Sequence, residues 1–96
     1  ESRQDAGTLN EIAWLAFDMS GGKPLPAAFL AEAIAAADAA LALEPNNANF
    51  LDTLAHLQAL KGDLAAAIAA QKRAVEHGGA DHFGGYLREL ESRTKK

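Results

Sequence analysis

Apolar residues recur along this chain at the three- and four-residue spacing of α-helices. Leu9, Ile12, Ala13, Ala16 and Phe17 form one such stripe, widened by Trp14 and Leu15, and predict a helix to about Met19. Leu30, Ile34, Ala37 and Leu41 form a second stripe, with Glu32 and Asp38 turned away, in a helix that runs to about Leu43. A third helix is expected over about 48–61 and a fourth over about 64–76. Phe83, Leu87 and Leu90 mark one side of a fifth.

The breaks between these stripes have local chemical causes. Thr8 followed by Glu11 has the spacing of a capping box, which would start the first helix. Ser20 to Pro26 contains two glycines and two prolines, which disfavour helix by about 1 and 3 kcal/mol each, so 20–26 is a loop. Pro26 is placed to open the second helix, because a first-turn proline loses no hydrogen bond. Pro45, Asn46 and Asn47 end that helix and offer an asparagine cap to the third. Gly62 can adopt the left-handed conformation that closes a helix, and Asp63 can cap the next, folding the two back on each other. Gly78 and Gly79 stop the fourth helix, and Asp81 is a candidate cap for the fifth. Gly84 and Gly85, each unfavourable by about 1 kcal/mol, predict that the fifth helix starts late, near Gly85, or frays.

Composition supports the helical reading. About a quarter of the 96 residues are alanine and valine occurs once, which favours helix throughout over sheet. A chain this short forms one small domain that buries only about two-thirds of its unfolded surface, which argues against a deep catalytic cleft. A net charge of -4 argues against a nucleic-acid partner, which requires a basic stripe to neutralise phosphates. Arg88, Arg93, Lys95 and Lys96 give a basic end to an acidic body. With no cysteine, disulfides, thiolate nucleophiles and Cys-ligated zinc are excluded. Every apolar run is broken by a charge before it reaches the length of a membrane span. The absence of an initiator methionine is expected of a processed product or an excised piece.

A short phrase occurs twice, as Leu9-Asn10-Glu11-Ile12-Ala13 and as Leu51-Asp52-Thr53-Leu54-Ala55, each copy followed after a break by an alanine-rich helix. Ala48 to Asp81 has the length of about 34 residues typical of one tetratricopeptide repeat (TPR). Leu51, Leu54 and Ala55 stand at its large, leucine and small positions, Gly62-Asp63 at its turn, and Ala67 and Ala74 at the small positions of its second helix. Ala33, Ala40 and Pro45 repeat the second-helix spacing in the first unit, so the chain resembles the TPR family from Leu9 to about Gly79. The two phrases lie 42 residues apart, which places about eight extra residues in loop 20–26, where they add only loop entropy. Gln58 and Gln71 replace the usual aromatics, and Gly79 the usual proline.

The resemblance implies an all-α, right-handed α-α superhelix of TPR-like hairpins with about five helices. It divides one domain into a first repeat (7–47, with its long loop at 20–26), a second repeat (48–79), a capping helix (80–92) and a basic tail (93–96). It further implies a concave face lined by the first helices of successive units. By register the candidate contacts are Asn10, Trp14, Phe17 and Asp18 on the first helix, and Asn49, Asp52, His56 and Ala59 on the third. Trp14 has a second reading, in which it packs under the inserted loop against Pro24 and Leu25. The family's clamp for a peptide carboxylate needs cations on this face, whereas Asp18, Asp52 and Glu11 would repel one. The expected partner is therefore a neutral or basic protein or peptide with an apolar side chain against Trp14 and Phe17.

Catalytic and metal readings find little to stand on. His56, His77 and His82 lack the spacing of a helical zinc pair, His77 suits a helix C-terminus, and His77 and His82 flank the glycine turn. Ser2, Ser20 and Ser92 have no visible base partner, and 21–24 lacks the pattern of a phosphate loop. No enzyme, metal or cofactor is expected. Two function classes remain: a protein interaction module, and a structural appendage that assembles as a homodimer or docks onto a parent domain. Short arrays of this style resemble the C-terminal tails of other bacterial domains.

Overall fold

The structure is a computed structural model that describes residues 5–21, 23 and 25–94. Five helices follow one another: α1 (Ala6–Ser20), α2 (Ala27–Leu43), α3 (Ala48–Lys61), α4 (Leu64–Gly78) and α5 (Ala80–Arg93). The fold is all-α, and no strand occurs among the described residues. Each helix packs on the next, and α1 also reaches α3, giving a body of 50 × 30 × 18 Å.

The helix boundaries are set mostly by side chains that satisfy free backbone N–H groups. The Asn47 side-chain Oδ1 accepts from the N–H groups of Asn49 and Phe50 at 3.0 and 3.2 Å, and Asp63 Oδ1 accepts from that of Ala66 at 3.1 Å. Between α3 and α4, Gly62 takes a φ of 95°, the left-handed conformation in which an L side chain is strained. Pro26 precedes α2, and its carbonyl accepts from the Leu30 N–H at 2.9 Å.

Three expected boundaries differ. The capping box at Thr8 and Glu11 does not start α1. Asp5 does, accepting from the Thr8 N–H at 2.8 Å, and the added turn buries Ala6 beside Leu9, Ala40 and Phe50. These bonds from Thr8 hold the Asp5 carboxyl below its ordinary range. At the other end, α4 continues through Gly78, where the missing side chain lets Phe83 and Ala48 pack against the backbone; a Cβ there would overlap both. Helix α5 then begins at Ala80 after Gly79, without a side-chain cap. Asp81 lies in its first turn, and the helix runs unbroken through Gly84 and Gly85. Burial of Phe83 and Leu90 outweighs the glycine penalty of about 1 kcal/mol per residue. Arg93, assigned to a basic tail, ends α5 and pairs with Glu89 at 2.6 Å, while residues 95 and 96 lie outside the described residues.

The main core is an alanine seam closed by a few leucines. Ala13, Ala16, Ala33, Ala37, Ala55, Ala67 and Ala70 are buried together with Leu30, Leu54, Leu57 and Leu90. Small side chains let the backbones approach, and an added large side chain in such a seam costs about 1–3 kcal/mol. Leu51, Ala74 and Phe83 form a second cluster that joins α3, α4 and α5.

Candidate functional site

The 42-residue internal register pairs Asn10 with Asp52, Trp14 with His56 and Phe17 with Ala59. The fold brings each pair to one side of the molecule. The Trp14 and His56 rings meet edge to face with centroids 5.2 Å apart, and Phe17 lies 5.0 Å from Trp14 and 4.9 Å from His56. Tyr86 extends the row from α5, stacked on His56 at 3.8 Å and nearly parallel. Four rings from three helices thus form one continuous aromatic surface, and such contacts add about 0.5–1.5 kcal/mol each beyond simple burial.

A depression on α1 is lined by Asn10, Glu11, Trp14 and Leu15, and two further open ones along this row involve α3. One, of about 410 Å³, is lined by Phe17, His56, Ala59, Leu60 and Tyr86, with Glu89 and Arg93 at its rim. The other, of about 350 Å³, is lined by Asn10, Trp14, Asn49, Phe50, Asp52 and Thr53. Asp18 lines neither. Helical periodicity turns it past Trp14, and it is exposed. The Trp14 ring is 37% exposed and packs on Phe17 and His56, whereas Leu25 lines a separate cavity with Leu30, Ile34 and Leu60. Pro24 lies outside the described residues.

The polar groups of the site are held in place. His56 Nδ1 is 2.8 Å from the Asp52 backbone carbonyl, which can only accept, so this contact requires the proton on Nδ1. The Asp52 carboxylate stands 3.6 Å from the same Nδ1. Its other oxygen accepts from Gln71 Nε2 at 2.9 Å, and that nitrogen also donates to the Phe83 carbonyl at 3.0 Å. Gln71 is fully buried, so one amide fixes both the acid of the site and the approach of α5. Burial raises the Tyr86 hydroxyl above the ordinary tyrosine value, opposed by Arg93 and reinforced by Glu89 and Asp52. The hydroxyl therefore stays protonated and able to donate at neutral pH. Arg93 does bring a cation to the rim of the depression, but from α5 and already paired with Glu89.

Sequence reasoning missed Tyr86, Glu89, Arg93 and the linking role of Gln71. A helix starting near Gly85 would still carry all three α5 residues; the capping helix was assigned to packing and Arg93 to the basic tail, so none was placed on the face. The usable signal was Tyr86 itself, an aromatic on a helix that packs beside α4.

Elsewhere, His82 packs edge to face on Phe83, with ring centroids 4.7 Å apart. Among the described residues no group of three or more His, Asp and Glu side chains gathers, and no helix is long and apolar enough to cross a membrane. Comparison with protein-family models, curated proteins and solved structures gives no match to this chain.

Proposed function

We propose that this chain is a protein interaction module of TPR-like helical hairpins, without catalysis of its own. It takes a peptide or partner helix along the face built by α1, α3 and α5. The observation that carries this reading is the row Trp14, Phe17, His56 and Tyr86, because aromatic side chains grouped at the centre of a surface supply most of the energy in protein interfaces. Asn10, Asn49 and Asp52 beside it supply amide and acidic groups for an extended backbone or a cationic side chain. With Arg93 paired to Glu89, the acids beside the row are Asp52 and Glu11, which favours a neutral or basic partner.

Trp14 is the sole tryptophan of the chain, so its emission reports on this face directly. Peptides combining an apolar side chain with lysine or arginine should shift it saturably, while acidic peptides of the same length should not. Trp14→Ala cannot be read by emission, so its loss of binding is measured by calorimetry. Asp52→Asn is the cleaner electrostatic variant, because Asp52→Lys would also break the Gln71 bond. If neither peptide class alters the emission, the reading is wrong.

A second reading, a structural appendage docked onto a parent domain or a second copy, draws on the exposed apolar side chains Ile12, Leu15 and Met19. Light scattering separates the two: a micromolar dimer supports assembly, a monomer supports recognition.

A further inference from the structure

The repeated phrase is buried differently in its two copies. On α3, Leu54 and Leu57 are 8% and 0% exposed, in one cluster with Leu30, Ala33 and Ala37 of α2. Their equivalents on α1, Ile12 and Leu15, are 49% and 55% exposed, and Met19, one turn on from Leu15, is 74% exposed. At about 100° per residue these three side chains fall within about 60° of arc, on a side of α1 that faces away from the alanine seam. Among the described residues α1 packs on α2 and α3, and the side bearing these three residues stays exposed.

The same register indicates what would fit. The α2 residues buried with Leu54 and Leu57 include alanines spaced four apart, so a helix presenting small residues at that spacing can approach α1 closely. Charge narrows the choice. Glu11 and Asp18, both exposed, border the stripe on the side toward Trp14, and α1 contains no lysine or arginine. A second copy of α1 would bring these acids against their own kind, whereas a cationic margin would pair with them. We infer that the outer face of α1, which adjoins the aromatic row at Trp14, is a second docking site for an amphipathic helix with small apolar contact residues and a lysine- or arginine-bearing margin.

The probe is a fluorescent 17-residue peptide with the sequence of α2, carrying Glu32→Lys and Asp38→Lys, titrated with the 96-residue chain and followed by anisotropy. Saturable binding is expected, about tenfold weaker for the peptide that keeps Glu32 and Asp38, and weakened at least tenfold by Ile12→Asp with Leu15→Asp in the chain. Met19→Glu, on the most exposed of the three side chains, is expected to weaken it at least about threefold. Met19→Glu should leave the Trp14 emission response to the basic peptides of the aromatic row unchanged, so failure here and failure at the row are distinguishable. The inference is overturned by absence of saturable binding, or by equal binding to variants whose thermal melts match the parent. A dimer of the chain abolished by the Ile12 and Leu15 substitutions would also overturn it, since the occupant would then be a second copy.

Discussion

The two hairpins of this molecule use their large apolar residues in opposite ways. In α1 and α2 the buried positions are mostly alanine, and Ile12, Trp14, Leu15, Met19, Phe29 and Leu43 stand exposed. In α3 and α4, Phe50, Leu51, Leu54 and Leu57 are buried, and α5 adds Phe83 and Leu90. Alanine contributes little apolar area, so the first hairpin adds less to folding than the second and holds more surface for association. A helix of the array that is covered on both sides becomes core. One that is covered on a single side leaves its large apolar residues exposed.

The sharpest way to break this contrast is to truncate equivalent leucines. Leu57→Ala should cost about 2–5 kcal/mol, whereas Leu15→Ala should change stability by less than about 0.5 kcal/mol. Paired denaturant titrations check both, and comparable losses would mean that the hairpins are equally dependent on their leucines. Next in size is Gly78→Ala, whose new methyl meets Phe83 and Ala48, with an expected loss of about 1–3 kcal/mol. Its signature in hydrogen exchange should be faster exchange in α5, with α1 little altered. Asn47→Ala removes the cap that leads into the well-buried hairpin and should cost about 1 kcal/mol, read as a fall in Tm of about 4–8 °C.

The smallest effect concerns the cap of α1. Because the folded pKa of Asp5 lies below its ordinary 3.8, its contribution is fully present above that value and is lost as pH falls through the lower, folded pKa. Helix content of α1 should therefore fall slightly in acid. Asp5→Asn, which keeps an acceptor oxygen, should remove the dependence, and circular dichroism between pH 5 and 2 checks it.

How legible each feature was in the sequence follows the range of the interaction that made it. The ends of α3 were readable because Asn47 and Gly62 act on backbone groups within a few residues of themselves. Asp5 was missed for a tertiary reason: the turn it caps is held by burial of Ala6 near Ala40 and Phe50, far along the chain. For the candidate site, the internal register named Asn10, Trp14, Phe17, Asn49, Asp52 and His56, which line the depressions beside the aromatic row, and Asp18, which lines neither. The place of Tyr86 in the row was not legible, because it depends on the tertiary approach of α5 that stacks its ring on His56 of α3.

The amino-acid sequence alone therefore determined an all-α chain, its five helices and the capping of α3 and α4, since hydrophobic period and capping act within a turn or two of helix. Only the tertiary structure decided that α5 starts at Ala80, that Gln71 ties Asp52 to Phe83, and that His56 lies between Phe17 and Tyr86. It also decided which copy of the repeated phrase is core and which is surface. Those outcomes depend on what packs against each helix, and identical local patterns cannot encode different neighbours.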